Sequence, residues 1–219
     1  MACKNRLRTT LQNPKSHLPL ALAFWGIHLL FVFITCNIYP LEWHRPVHSV
    51  LDDLIPFCEV FVVPYLLWFV MLLVTAVWFY RHDRQMFLRY HLFLVTLDLM
   101  IFTVYFVYPT MVPFQPTQFP RDNIFTDLVA LIYDADRPTN ACPSFHVAYS
   151  LAIGSAWSKR KETSPWLKAG IWAFVAIICM ATVFIKQHSV LDFFWALPFC
   201  LVAECVAFGK HYWLPKFKK

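Results

Sequence analysis

The sequence has few charged residues. Asp, Glu, Lys and Arg together make up 15% of its 219 residues, whereas a soluble domain carries about a quarter. Hydrophobic residues account for 59% and aromatic residues for 18% of the chain. Apolar runs of about 20 residues, the length that crosses a bilayer, recur along it. The composition therefore excludes a soluble domain and predicts a polytopic membrane protein surrounded by lipids.

Paired cysteines with metal-ligand spacing are also lacking. Most of the seven cysteines fall inside the apolar runs, where cysteine behaves as a small apolar residue. The formal charge of +6 does not indicate nucleic-acid binding, because the basic residues form short clusters between these runs. We expect no nucleic-acid partner.

The apolar runs predict an all-α protein, one domain over 1–219, with six membrane spans. These spans are expected at 18–38, 55–80, 88–108, 143–159, 166–185 and 188–208. The connection between the third and fourth spans carries four prolines in its first half, which exclude a regular helix there. Apolar residues recur at helical spacing over 123–134 and predict a short amphipathic helix on the membrane surface.

Basic residues fix the expected orientation. The segments on one side of the six spans hold fifteen Lys and Arg, and those on the other side hold four. The basic side is expected to be cytoplasmic, and both termini lie on it. His146 and His188 then lie together at the opposite, extracytoplasmic face.

The stretch from Arg137 to His146 has the residue types of an anion site. Pro143 suits the first position of a helix, which would leave the amides of Ser144, Phe145 and His146 free to face an anion. Arg137 adds a planar donor group that matches phosphate oxygens. The alternative interpretation is a capped helix start that carries an interfacial histidine.

A second polar pair stands at the start of the last span. His188 and Asp192 are four residues apart and share one face of a helix. The carboxylate can accept a proton from one imidazole nitrogen and leave the other as a nucleophile. His146 supplies a second imidazole at the same depth, so that one histidine could attack phosphorus while the other protonates the leaving alkoxide.

Three motifs give the chain a resemblance to a known family. They are Arg137-Pro138, Pro143-Ser-Phe-His146 and His188-Ser-Val-Leu-Asp192. In this order they resemble the type 2 phosphatidic acid phosphatase superfamily, and the resemblance covers about 88–209. It implies a lipid phosphatase that acts on a lipid phosphate and needs no metal or other cofactor. The oligomeric state stays open.

The resemblance also implies a role for each motif residue. His188 would form a phosphohistidine, Asp192 would orient it, and His146 would act as the general acid. Arg137 and Ser144, with nearby backbone amides such as that of Phe145, would bind the phosphoryl oxygens.

Cations of the fuller family pattern are missing here. Ala130 stands where the family has Lys, and Ala181 and Thr182 stand where it has Ser-Arg. In this the chain resembles the branch of sphingomyelin and inositol phosphorylceramide synthases, which makes a lipid phosphotransferase the main alternative. Lys186 either replaces a missing cation or anchors the chain among lipid head groups.

Two further alternatives remain open. His146, His188 and Asp192 could instead be the ligands of a metal hydrolase, or the chain could be a transporter or other non-catalytic protein. Asp98 is expected to be paired within the bundle rather than functional, and Glu204 to extend towards the inner surface. His28 and His91 are expected to be core or interfacial histidines.

Overall fold

The computed structural model describes residues 17–214 and is predominantly helical there, with two strands of two residues each, which agrees with the all-α prediction. Its α-helices are α1 (His17–Ile38), α2 (Val50–Leu54), α3 (Val62–His82), α4 (Arg84–Val107), α5 (Ile124–Ala135), α6 (Phe145–Lys159), α7 (Pro165–Phe184) and α8 (Val190–Phe208). Short 3₁₀ helices at Leu41–Trp43 and Glu59–Phe61 and a π-helical turn at Gly209–Trp213 extend the bundle. The N-terminal segment and the last five residues of the basic tail, both expected in the cytoplasm, lie outside the described residues.

Within residues 17–214, five helices are long and apolar enough to cross a membrane. They are α1, Glu59–His82, α4, α7 and Val190–Trp213. The chain is therefore a multi-pass membrane protein. The fourth expected span is α6, whose 15 residues rise about 22 Å, less than the roughly 30 Å of a hydrocarbon core. The count of six spans stays a prediction.

Helix α6 is short because protein surrounds it. It packs against α3, α4, α7 and α8, and ten of its residues are buried. Ala148, Ala152 and Ala156 repeat every four residues and are fully buried, so that neighbouring helices approach closely along one stripe. A helix enclosed in this way needs neither the length nor the hydropathy of one that faces lipid.

The amphipathic helix expected over 123–134 is α5. Asn123 caps it by accepting hydrogen bonds from the amides of Phe125 and Thr126. Val129 packs on α3 and α7 in a small cluster, whereas Ile124 and Leu131 are exposed. The exposed apolar side is compatible with a membrane surface, and that location stays a prediction.

The loops at the α6 N-terminus are held by a two-stranded parallel sheet. Strand β1 (Arg45–Pro46) pairs with strand β2 (Thr110–Met111). The backbone amide of Val112 donates to the carbonyl oxygen of Pro138 at 2.8 Å, and the backbone amide of Asn140 donates to the carbonyl oxygen of Thr110 at 2.5 Å. The sheet thus fixes the segment that joins α5 to α6.

Candidate active site

The imidazole of His188 is bound on one side by a buried carboxylate. Its Nδ1 lies 3.0 Å from Asp192 Oδ2 and 3.1 Å from the carbonyl oxygen of Ala141. Asp192 is fully buried and also accepts a hydrogen bond from the Ser189 amide at 3.1 Å. Both partners of Nδ1 are acceptors, so Nδ1 carries the proton and Nε2 keeps its lone pair.

The free nitrogen of His188 faces the start of α6. Its Nε2 lies 3.3 Å from His146 Nδ1 and 3.3 Å from Ser144 Oγ. The His146 ring is stacked between Tyr65 and Trp68 of α3, with ring centroids 4.4 and 4.2 Å away. The two histidines predicted from sequence therefore meet at one point, and aromatic contacts fix the orientation of the second.

A cavity of about 370 Å³ opens in front of this pair. His146, His188, Arg137 and Phe145 all line it. Of the predicted phosphate-binding residues, Ser144 is fully buried and reaches the site through its hydroxyl. Arg137 is the one Lys or Arg among the described residues that line the cavity.

Asn140 helps to hold the loop that carries Arg137. Asn140 has a left-handed backbone (φ 53°), which Asn adopts more readily than most residues. Its side-chain amide donates to the Thr35 carbonyl of α1 at 2.7 Å. The Arg137 segment is thus tied to α1 as well as to β2.

Lys186 does not contact the cavity. Its Nζ donates to the carbonyl oxygens of Asp52 at 2.7 Å and Ile55 at 2.5 Å, beside helix α2. Its backbone is left-handed (φ 57°), neither the extended nor the helical conformation considered from sequence, and this directs its side chain to α2. Burial lowers the pKa of Lys186, while the charges of Asp52 and Asp53 oppose that change. The Lys186 ammonium thus contacts loop carbonyl groups and not the cavity, and a role in phosphate binding or as an anchor stays a prediction.

Sequence analysis assigned no role to Asp52. Its carboxylate accepts hydrogen bonds from Ser189 Oγ at 2.6 Å and from the Val190 amide at 2.8 Å. It also accepts from the Ser49 amide at 2.8 Å in the capping box of α2. Asp52 thus holds the first residues of α8 next to His188. Its contacts with Ser189 and Val190 join residues more than 130 apart in sequence, and no local pattern indicates them.

Apolar packing occupies a position where the fuller family pattern has a polar residue. Ala181 is fully buried in the cluster formed by Val62, Tyr65, Val129 and Ile185. The carbonyl of Thr182 accepts the amides of Gln187 and His188, so this residue shapes the turn that precedes α8.

The remaining acidic residues of the spans are paired. Asp98 lies 3.0 Å from His28 Nδ1 and accepts a hydrogen bond from Tyr149, the pairing expected within the bundle. Glu204 forms a 2.6 Å ion pair with Lys159, and its expected extension towards the inner surface stays a prediction. Among residues 17–214, no three His, Cys, Asp or Glu are grouped to hold a metal ion.

Comparisons with known proteins gave one result. A family model described as the PAP2 superfamily matches residues 38–194. Neither the curated proteins nor the solved structures contain a match. The matched region includes Arg137, His146, His188 and Asp192, and it begins at the last residue of α1.

Proposed function

Because the chain belongs to the PAP2 superfamily, we propose that it is a metal-independent lipid phosphatase that acts at the outer membrane face. The observation that carries the proposal is the orientation of His188. Its Nδ1 is bound by Asp192, and its Nε2 faces His146 and Ser144 at the cavity. Because Asp192 binds Nδ1, the Nε2 lone pair of His188 is left for attack on phosphorus at the cavity, and His146 beside it can serve as the general acid.

The reaction takes two steps. His188 Nε2 attacks phosphorus, the phosphorus–oxygen bond to the lipid breaks, and His146 donates a proton to the leaving alkoxide. Water then attacks the phosphohistidine while His146 takes up a proton, and inorganic phosphate leaves. Arg137 and the amides at the start of α6 bind the phosphoryl oxygens, and Asp192 stabilises the charge that develops on His188.

The outer location is supported by the distribution of charge. His146 and His188 lie at one end of the bundle, whereas Lys159 lies at the opposite end of α6. The expected inner segments hold fifteen Lys and Arg against four in the outer segments, which favours a cytoplasmic position for the Lys159 end. The lipid phosphate would enter from the opposite leaflet.

A second candidate is a lipid phosphotransferase, with an alcohol in place of water in the second step. The observation that favours it is the presence of a single Lys or Arg, Arg137, along the described cavity lining. A phosphate monoester carries a charge of about −1.5 to −2 at neutral pH, while a phosphodiester carries one negative charge. A cation-poor site suits the diester, as in the sphingomyelin and inositol phosphorylceramide synthase branch.

One assay separates these functions. The purified protein in detergent is given a panel of lipid phosphates and phosphodiesters, with and without a lipid alcohol, and free phosphate and lipid products are measured. Phosphate release without an acceptor supports the phosphatase, and a new phospholipid formed only with the acceptor supports the transferase. His188→Ala should abolish either activity, whereas His91→Ala, a buried histidine outside the cavity, should not. Full turnover by His188→Ala would refute the phosphohistidine.

A further inference from the structure

A second histidine–carboxylate pair adjoins the same cavity. His28 Nδ1 lies 3.0 Å from Asp98 Oδ2, the same separation as between His188 Nδ1 and Asp192 Oδ2. Tyr149 completes the group: its hydroxyl lies 3.0 Å from His28 Nδ1 and donates to Asp98 Oδ1. These residues come from α1, α4 and α6, so three helices converge to build the pair.

The hydrogen bonds define what His28 offers to a ligand. The Tyr149 proton is committed to Asp98, and Asp98 Oδ2 accepts the remaining proton from His28 Nδ1. In the neutral imidazole Nε2 then carries a lone pair and acts as a hydrogen-bond acceptor. His28 lines the cavity, and no other hydrogen bond to its ring is formed within residues 17–214.

The position of His28 relates it to the site. Phe145, which follows Ser144 and precedes His146, lies between the two histidine–carboxylate pairs, with its ring centroid 5.2 Å from that of His28. His28 and four other residues of α1, namely Leu29, Val32, Thr35 and Cys36, form one wall of the cavity. This wall precedes residue 38, where the family match begins.

We propose that His28, held by Asp98 and Tyr149, is a specificity-determining residue that accepts a hydrogen bond from a free hydroxyl of the lipid substrate. The inference rests on the proposed function, because it takes the cavity to hold a lipid phosphate with its phosphoryl group at His188. A hydroxyl near the phosphate ester, as in a monoacylglycerol phosphate or a sphingoid phosphate, can donate the hydrogen bond that Nε2 is able to accept. A lipid without such a hydroxyl leaves the buried acceptor unpaired, which costs affinity.

The test measures binding, so that it does not depend on turnover. Its probes are non-hydrolysable phosphonate analogues of 1-oleoyl-glycerol 3-phosphate and of the corresponding 2-deoxy lipid, which differ by one hydroxyl. The wild-type protein in detergent should bind the hydroxylated phosphonate about ten-fold more tightly, the size of one neutral hydrogen bond. His28→Asn should reduce this ratio to about one with little change in affinity for the 2-deoxy probe.

The choice of Asn keeps the fold intact. Its side-chain amide can replace the Nδ1 donor to Asp98, while the Nε2 acceptor is lost. The matched control is His91→Asn: His91 is also buried, and its Nδ1 lies 2.9 Å from the Phe87 carbonyl of its own helix, away from the cavity. This variant should keep the ten-fold ratio. If His28→Asn fails to fold, Tyr149→Phe, which removes one of the two groups at His28 Nδ1, should lower the ratio instead.

Three results would overturn the inference: no binding of either probe, equal binding of both by the wild type, or an unchanged ratio in His28→Asn. Phosphate release from the two corresponding phosphate esters, which can be hydrolysed, is then measured on the same protein preparations. A retained hydroxyl preference without release of phosphate from any lipid would contradict the phosphatase and still support the His28 subsite. Release of phosphate with no hydroxyl preference would support the phosphatase and contradict the His28 subsite.

Discussion

Replacing Asp52 by Ala tests how the outer loops hold His188 in position. Asp52 lies in α2, and its carboxylate is almost fully buried. It accepts hydrogen bonds from Ser189 Oγ at 2.6 Å and the Val190 amide at 2.8 Å. Its backbone carbonyl accepts from Lys186 at 2.7 Å. Asp52 therefore contacts the chain both before His188, at Lys186, and after it, at Ser189 and Val190.

The expected magnitude follows from the groups that lose a partner. Asp52→Ala removes the acceptor of the Ser189 hydroxyl and of the half-buried Val190 and Ser49 amides. A fully buried group left without a partner costs about 1–3 kcal/mol, and a half-buried amide costs less because water can replace the carboxylate. The free energy of unfolding should fall by about 2–6 kcal/mol. Because Ser189 follows His188 directly, the loss also frees the nucleophile, and a misplacement of about 1 Å can lower the rate about 10²-fold.

The neighbouring carboxylate provides the control. The Asp53 side chain is 63% exposed and pairs with His48 at 2.8 Å, and such a surface pair is worth about 0–1 kcal/mol. Thermal unfolding in detergent and kcat on one lipid phosphate are measured for Asp52→Ala and Asp53→Ala. We expect a lower Tm and a kcat reduced about 10²-fold for the first variant alone. Equal Tm and equal kcat in the two variants would refute a positioning role for Asp52.

Three further predictions concern other parts of the site. His146→Ala should impair lipid phosphates far more than p-nitrophenyl phosphate, since an aryl phenolate leaves without a proton donor; equal losses on both substrates would contradict the general-acid role. Lys186→Met should lower the Tm and leave KM for the lipid phosphate unchanged, because its ammonium binds Asp52 and Ile55; a raised KM at unchanged Tm would indicate phosphate binding instead. A cysteine at Thr117 should react with an impermeant thiol reagent from outside intact cells, and one at Glu162 only after permeabilisation; the reverse pattern would put the site on the cytoplasmic side.

The sequence carried the information for the contacts that helix geometry determines. His188 and Asp192 are four residues apart, and this spacing alone brings them onto one face. Ser144 caps α6 through the Val147 amide, and the helix begins at Phe145, so the expectation that Pro143 occupies its first position was wrong. The meeting of His146 and His188 could be expected only from the resemblance to the family, because it joins two helices.

The contacts that could not be predicted join residues far apart in the chain. Asp52 and Ser189 are 137 residues apart, and His28 and Asp98 are 70 apart; neither pair leaves a periodic signal. The direction of the Lys186 side chain depends on a left-handed backbone conformation, which lysine rarely adopts. The expected span 143–159 differs from α6 by only two residues at its start, but hydropathy could not show that other helices enclose this helix.

The shortage of cations at the site is related to how this end of the bundle packs. The arginine of the family pattern would stand at Thr182, which is buried in the last turn of α7, before α8, and an unpaired charge buried there is very costly. Lys186 is committed to carbonyl groups of the α2 region. Arg137, the amides at the start of α6 and the two imidazoles must therefore meet the charge of the phosphoryl group. Such a site stabilises a transferring group with few negative charges best, so recognition of the remainder of the lipid, along the wall formed by α1, has to supply a larger share of the binding energy.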